Sequence, residues 1–343
     1  MSLTVNLGIF AVAAIVVWMA GTRMSGYADI ISRKTGVGQA LIGLFLLAGV
    51  TSLPEIAVSI TSAATGNTAL AINNLFGSIA MQVAILAVID FIIGRVALTS
   101  VAPDPGLLLL GTLNILLLAI AVAGMVAGDT AFLGIGLWAW SSLAAYIFCL
   151  RLLTQSEGRR RWVAVEAAAG PHAPPVDQKT ERGPLGRGII LRTVVAAVLI
   201  LIAGFALSRT GDAIAEQTGL GSSFVGFVLV AISTSLPEFS TALAAARLGR
   251  FTMAISDILG TNLINIGLIF VVDAVARGEP VLNLADPFST FGAILGIVVT
   301  ALFLAGLAER ANKTVFRVGM DSAAVLVTYV GGLIILYTMR SIP

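Results

Sequence analysis

Two identical copies of the pentapeptide Thr-Ser-Leu-Pro-Glu are the strongest chemical signal in this sequence. They occupy Thr51–Glu55 and Thr234–Glu238, 183 residues apart, inside apolar runs with no Lys or Arg at nearby depth. If these runs cross a bilayer, a charge at its centre costs at least about 2.5–3.5 kcal/mol. We therefore expect Glu55 and Glu238 to share a bound cation. The alternative is that buried partners satisfy both carboxylates and that neither has a functional role.

Oxygen donors surround both glutamates in the sequence. Pro54 and Pro237 have no N–H, so each leaves the carbonyl four residues back, at Val50 and Ser233, without its helical partner. The neighbouring hydroxyls are those of Thr51, Ser52, Thr234 and Ser235. With the two carboxylates they form an all-oxygen set, which hard cations such as calcium and sodium prefer.

A second group of polar residues follows each pentapeptide in the next apolar run. Residues three or four apart share one face of a helix, and two triplets have this spacing: Asn74, Ser78 and Gln82, and Asp257, Thr261 and Asn265. We expect these faces, with Asn262, to line the same cavity as the glutamates. The alternative is that their hydrogen bonds only hold neighbouring helices together. Asp257 either forms a third carboxylate on the ion pathway or pairs with Arg250.

The composition indicates a membrane protein. The chain of 343 residues is 58% hydrophobic and 11% charged, with a mean hydropathy of +1.00, whereas soluble domains carry about 25% charge. A bilayer span needs roughly 20 apolar residues, and we predict ten spans: 3–22, 39–65, 69–93, 106–125, 131–153, 188–208, 222–247, 252–275, 288–308 and 320–339. The prediction is an all-α membrane protein.

Loop charges predict the orientation of the chain. With ten spans, 17 of the 20 Lys and Arg residues lie on one side, and only Arg209, Arg277 and Arg340 lie on the other. Positive loops stay cytoplasmic, so both termini should face outward from a plasma (bacterial inner) membrane. The polar segment 154–187 should then be a flexible cytoplasmic linker between residues 1–153 and residues 188–343.

The two halves are predicted to be inverted repeats. At the same offset of 183 residues, Gly43 matches Gly226, Gly77 matches Gly260, and Asp90 matches Asp273. This offset crosses five spans, an odd number, so the copies enter the membrane from opposite sides, as in many secondary transporters. We expect the glycines to permit close helix approach. Asp29 and Asp212 lie near helix ends and are expected to be solvated caps, whereas Asp90 and Asp273 are expected to be structural.

Several classes of function are disfavoured by residues that the sequence lacks. Its one cysteine, Cys149, and one histidine, His172, cannot build a Cys/His metal cluster. No histidine lies at membrane depth, which disfavours a membrane-embedded enzyme. No phosphate-binding loop is present, so ATP drive is not expected. The net charge of +2 gives no reason to expect a nucleic-acid partner, and no cofactor is expected.

At these residues the chain resembles the calcium/cation antiporter family, whose best-known members are sodium/calcium exchangers. That family has two inverted repeats, each with a G-T-S-x-P-E core followed by a G-N-x-x-G-S-N-type helix. Here the cores read Ala48–Glu55 and Ala231–Glu238, and the following helices contain Asn73–Ser78 and Ser256–Asn262. The resemblance covers all ten spans and the linker.

The resemblance implies roles for individual residues. Glu55 and Glu238 would bind calcium and share sodium sites, and spans 1 and 6 would slide against the rest. The coordination would be completed by Thr51, Ser52, Thr234, Ser235, Ser78 and Thr261, with the carbonyls of Ala48 and Ala231. The chain departs from the family pattern at Val50, Ser233, Asn73, Ser256, Asp257, Gln82 and Asn265. With Gln82 and Asn265 neutral, the centre carries two formal charges, which balance one calcium.

We therefore expect a secondary cation antiporter with inorganic cations as its substrates and the lipid bilayer as its environment. Sodium/calcium exchange by alternating access is the first hypothesis. Exchange of protons for calcium or another divalent cation is the second, and a passive cation channel is a weaker third. The sequence sets no oligomeric state, and a monomer is compatible with it.

Overall fold

A computed structural model describes residues 2–94, 97–102, 104–156, 185–218, 222–276, 278–309, 314–315 and 318–339. Most of the predicted linker 154–187 lies outside these ranges, as does His172. The structure is described for the two halves on either side of it.

Helices dominate the described residues, and eight are long and apolar enough to cross a membrane, or ten spans if each of two bent pairs counts as one. We number them spans 1 to 10: Leu3–Thr35, Gln39–Thr51 with Leu53–Ala64, Thr68–Ile93, Gly106–Ala127, Leu137–Ser156, Arg187–Thr218, Gly226–Thr234 with Leu236–Arg247, Phe251–Ala276, Pro287–Glu309 and Met320–Met339. The all-α fold of two inverted five-span repeats is confirmed.

Spans 2 and 7 are broken at the duplicated pentapeptide. Their half-helices bend by 45° and 49° at Ser52 and Ser235, immediately before the Leu-Pro pair that starts each second half. The prolines, at the start of a helix, need no N–H partner there. Each first half also contains a π-helical segment, Ile42–Leu47 and Val225–Val230, which the sequence did not predict.

Three predicted boundaries were wrong. Span 1 runs to Thr35 and span 6 to Thr218, because polar residues continue a helix once its apolar part has left the hydrocarbon. Span 5 begins at Leu137, since Ala131–Phe132 and Ile135–Gly136 form a short antiparallel hairpin. Its turn places Leu133 and Gly134 at positive φ, the geometry of a tight hairpin turn. A matching hairpin, Thr314–Val315 with Val318–Gly319, precedes span 10.

Spans 3 and 8 form the centre of the bundle, and the apolar side chains of the outer spans face outward. Almost every residue of Asn73–Val83 and of Thr252–Leu263 is buried. On spans 1, 6 and 10, Val12 is 63% exposed, Ile202 is 62% exposed and Val327 is 74% exposed. Such surfaces are stable in lipid and unfavourable in water, so the chain is a multi-pass membrane protein.

The first halves of spans 2 and 7 pack against the central span of the opposite repeat. A Cβ at Gly77 of span 3 would overlap the backbone of Phe227 in span 7, and one at Gly43 of span 2 would lie 2.7 Å from the carbonyl oxygen of Met253 in span 8. Glycine is therefore required at these crossings. This close approach places each bend against polar residues of the other repeat.

Asp90 and Asp273 are structural, and their contacts repeat across the two halves. Asp90 accepts hydrogen bonds from the N–H groups of Leu98 at 2.6 Å and Gly319 at 2.8 Å. Asp273 accepts them from Val281 at 2.8 Å and Gly136 at 2.7 Å. Each carboxylate thus anchors the loop after its own span and one of the hairpins.

We expect Asp273→Ala to destabilise the protein by about 2–6 kcal/mol, because two backbone N–H groups lose their acceptor at roughly 1–3 kcal/mol each. Asp273→Asn, which keeps one acceptor oxygen, should cost about half as much. Thermal unfolding of the purified protein measures both. Glu309→Gln, at an exposed helix end, serves as the control, and an unchanged melting temperature in Asp273→Ala would contradict the anchoring role.

Candidate functional site

Glu55 and Glu238 occupy the first turns of the second half-helices of spans 2 and 7. Both side chains are completely buried, and none of their four carboxylate oxygens has a hydrogen-bond partner. Buried polar groups in native proteins are almost always paired. Two buried carboxylates without a protein partner, in equivalent positions of the two repeats, are therefore candidates for binding a positively charged ligand.

Hydroxyl groups cross between the repeats at the level of the two glutamates. The Thr51 and Thr261 hydroxyl oxygens lie 3.5 Å apart, and those of Thr234 and Ser78 lie 3.4 Å apart. These two contacts are equivalent under the repeat offset. They place both bends beside the polar faces of spans 3 and 8, and we call this group of residues, with Glu55 and Glu238, the central layer.

The two carboxylates of this layer lie near each other and near hydroxyls of the opposite repeat. The Thr234 hydroxyl is beside the Glu55 carboxyl, and the Thr51 hydroxyl is beside that of Glu238. Glu238 is also close enough to Glu55 for their negative charges to repel each other. A cation between them would convert this repulsion into attraction.

The hydroxyl protons of the bends are directed at backbone carbonyls. Ser52 donates to the Ala48 carbonyl at 2.6 Å, Thr51 to that of Leu47 at 3.1 Å, and Thr234 to that of Ala231 at 3.3 Å. Their oxygen lone pairs therefore remain available. Oxygen-rich surroundings with fixed protons favour cations over anions.

Gln82 and Asn265 extend this layer and leave acceptor atoms unpaired. The Gln82 amide nitrogen lies 3.5 Å from the Ser235 hydroxyl, and its carbonyl oxygen has no partner. Neither the oxygen nor the nitrogen of Asn265 has a partner, although the residue is fully buried. Both amides thus have an oxygen atom without a protein partner.

The two candidate pathway asparagines differ in their contacts. Asn262 donates to the Ile79 carbonyl of span 3 at 3.4 Å, and Ile79 is its equivalent under the repeat offset. This bond joins the two central spans. Asn74 is fully buried and has no hydrogen-bond partner at either amide atom. Interhelical hydrogen bonding therefore does not account for a polar side chain at this buried position.

One of the two alternatives for Asp257 was wrong. Arg250 pairs with Asp29 at 2.5 Å, and Asp29 also pairs with Arg33 at 3.0 Å. The expectation that Asp29 is solvated was wrong as well, because span 1 packs close to Arg250. Asp257 instead accepts a hydrogen bond from Thr241 at 2.5 Å, and its second oxygen has no partner.

Sequence reasoning missed Thr241, which contacts Asp257 and lies one turn beyond Glu238. That spacing was the available signal, since residues three apart face the same way on a helix. It also missed Ser59, a buried hydroxyl with no partner. Among the described residues, no three Asp, Glu, His or Cys side chains converge on a single point; the central layer is a site of two carboxylates.

Comparison with known proteins gives consistent results. The family model for sodium/calcium exchanger proteins matches residues 5–155 and 189–338. The CaxA protein of Alkalimonas amylolytica is 26% identical over 341 residues, covering 92% of this chain and 93% of that protein. Inner membrane protein YrbG of Escherichia coli (strain K12) is 27% identical over 281 residues, covering 78% and 79%.

A solved structure with the same fold extends over almost the whole chain. It is that of the sodium-calcium exchanger NCX_Mj soaked with Na+ and Sr2+, with a TM-score of 0.66 and 19% sequence identity. The alignment covers 97% of this chain and 99% of that one. The architecture of ten spans with two broken helices is therefore shared.

Proposed function

Because the chain belongs to the sodium/calcium exchanger protein family, we propose that it is a secondary antiporter that exchanges sodium for calcium at Glu55 and Glu238. The observation that carries this proposal is the pair of buried carboxylates with four unpaired oxygens. Only a cation relieves both the repulsion between them and the cost of burying them.

The charge of the central layer sets what it binds. Two carboxylates carry a charge of −2, which one calcium or two sodium ions neutralise. Because both kinds of ion need the same oxygens, they compete, and only one load occupies the centre in each half-cycle. Inverted halves that meet at this layer can open it alternately to the two sides.

We assign the remaining ligands to oxygen atoms of the two bends and of spans 3 and 8. The hydroxyl ligands are those of Thr51, Ser52, Ser78, Thr234, Ser235 and Thr261. The carbonyl ligands are those of Ala48 and Ala231, and the amide ligands are those of Gln82 and Asn265. The Ala48 carbonyl accepts from both the backbone N–H and the hydroxyl of Ser52. Because a carbonyl oxygen has two lone pairs, it coordinates a cation when the Ser52 hydroxyl turns away.

Proton/calcium exchange is the second candidate, and the neutral side chains of Gln82 and Asn265 favour it. A centre with only two carboxylates can be neutralised by two protons as well as by two sodium ions. The same exchange could carry another divalent cation, since oxygen ligands do not by themselves select calcium.

Calcium uptake into proteoliposomes that contain the purified protein distinguishes the candidates. We expect an outward sodium gradient to drive labelled calcium inward, with no effect of a protonophore. Liposomes with equal sodium on both sides are the control. Uptake driven by a pH gradient and abolished by the protonophore would instead support proton exchange. Uncoupled single-channel currents in a planar bilayer would contradict exchange altogether.

We also propose that both termini face outward and that the linker 154–187 is cytoplasmic. The distribution of Lys and Arg, 17 on one side and three on the other, supports this orientation. It places the loop between spans 7 and 8, with Arg247 and Arg250, on the cytoplasmic side of a plasma membrane.

A further inference from the structure

The two repeats differ at one pair of buried positions beside the central layer. In the second repeat, Thr241 donates a hydrogen bond to Asp257. At the equivalent positions the first repeat has Val58 and Asn74. The hydroxyls and carboxylates of the central layer recur in both repeats. The Thr241–Asp257 pair occurs only in the second repeat, so it makes the two repeats chemically different.

This pair lies one helical turn from the central layer. Asp257 is four residues before Thr261 in span 8, and Thr241 is three residues after Glu238 in span 7. Span 7 then runs toward Arg247 while span 8 starts at Phe251, so both steps lead toward the same end of the bundle. One turn of helix is about 5.4 Å, a separation that suits two adjacent ions.

Three carboxylate oxygens, one on Asp257 and two on Glu238 one helical turn away, have no protein partner. Asp257 is completely buried, and its Oδ1 atom is unpaired. Both oxygens of Glu238 are also unpaired, and Glu238 lies close enough to Asp257 for their charges to repel each other. The Thr241 hydroxyl is held between Asp257 and the carbonyls of Pro237 and Glu238. These unpaired buried oxygens point to a ligand of positive charge.

The summed charge of Glu55, Glu238 and Asp257 identifies the kind of ligand. Glu55 and Glu238 neutralise one divalent cation, and Asp257 leaves one further negative charge. A second divalent cation would leave an uncompensated positive charge, for which no described side chain at this level supplies a counter-ion. One monovalent cation balances the remaining negative charge of Asp257.

We propose that Asp257, Thr241 and Glu238 form a second cation position, for one monovalent ion of the charge and size of sodium, adjacent to the Glu55–Glu238 site. The inference rests on the proposed antiport function, because it assumes that the central layer holds cations. It adds an ion to the transport cycle that a symmetric pair of repeats would not carry.

Binding of ²²Na⁺ to the purified full-length protein in lipid nanodiscs tests this position. At saturating sodium, Asp257→Asn should bind one sodium ion fewer per chain than the wild type. With saturating calcium present, the wild type should retain one sodium and Asp257→Asn none, while calcium binding persists. Asparagine is the residue that the first repeat has at this position, so the substitution has a precedent in the same fold.

Two further variants separate charge from fold. Thr241→Val, which places the first repeat's valine there, retains all three carboxylates and should weaken sodium binding about tenfold, since one oxygen ligand is worth roughly 1.4 kcal/mol. Glu309→Gln, which removes a negative charge at an exposed helix end away from this position, should change nothing. If Asp257→Asn fails to fold, Thr241→Val decides the question.

The inference is overturned if Asp257→Asn binds as many sodium ions as the wild type, or if it loses calcium and keeps its sodium. Unchanged sodium affinity in Thr241→Val overturns it as well. These results are independent of the proposed exchange. A wild type that binds sodium through Asp257 but transports no calcium would contradict the proposed function and leave this position standing.

Discussion

Glu55→Gln and Glu238→Gln should each abolish exchange while the protein still inserts and folds. Glutamine has nearly the same shape as glutamate but removes one of the two charges that hold the ion. Loss of one partner from a buried charge interaction costs about 2–5 kcal/mol, which lowers affinity by roughly 30- to 5,000-fold. Gradient-driven calcium flux and equilibrium calcium binding measure the two effects separately.

Both variants should be at least as stable as the wild type when no cation is present. An orphaned buried carboxylate is costly, and a neutral amide at the same place is less so. Glu309→Gln, at an exposed position, controls for the general effect of removing a negative charge. Wild-type transport in either central variant would refute the assignment of the site.

Asn265→Asp should raise the preference for calcium over sodium by at least about tenfold. The residue is fully buried and neither of its amide atoms has a partner, so an added carboxylate would act directly on the bound ion. Two unit charges about 5 Å apart interact by about 3 kcal/mol at an effective dielectric constant of 20, and a divalent ion gains twice as much as a monovalent one. Competition of sodium with labelled calcium for binding measures the ratio.

Asn265→Ala separates charge from shape in this experiment, since it removes the amide without adding a charge. We expect it to weaken binding of both ions without reversing their order. Gln82→Asp, at the equivalent position of the first repeat, should shift selectivity in the same direction as Asn265→Asp. Unchanged selectivity in both aspartate variants would show that these residues only pack between spans 3 and 8.

The positions of the spans could be predicted closely because lipid imposes a simple length rule. A run of about 20 apolar residues is needed to cross the hydrocarbon, and the cores of all ten runs are helical. The ends of spans 1 and 6 could not be predicted by that rule, because a helix continues into polar sequence at no cost of burial. The hairpin at Ala131–Gly136 was missed because its residues are as apolar as the span that follows.

The candidate site could be predicted in outline because its residues occur twice. Duplication of the pentapeptide at an odd number of spans requires that Glu55 and Glu238 approach from opposite sides. The partner of Asp257 could not be predicted in this way, since Thr241 has no equivalent hydroxyl in the first repeat. Arg250 is nearer to Asp257 in sequence than Thr241 is, and only the packing of span 1 against Arg250 showed that it pairs with Asp29.

By itself, the sequence determined that this chain is a ten-span membrane protein of two inverted repeats with an acidic residue at the centre of each. Periodicity, hydropathy and repetition depend only on the order of residues along the chain, so they can be recognised without a structure. The tertiary structure alone decided which oxygens lack partners, that the two carboxylates meet in one layer, and that Asp257 lies beside them with Thr241. Such facts depend on distances between segments far apart in sequence, which side-chain packing sets.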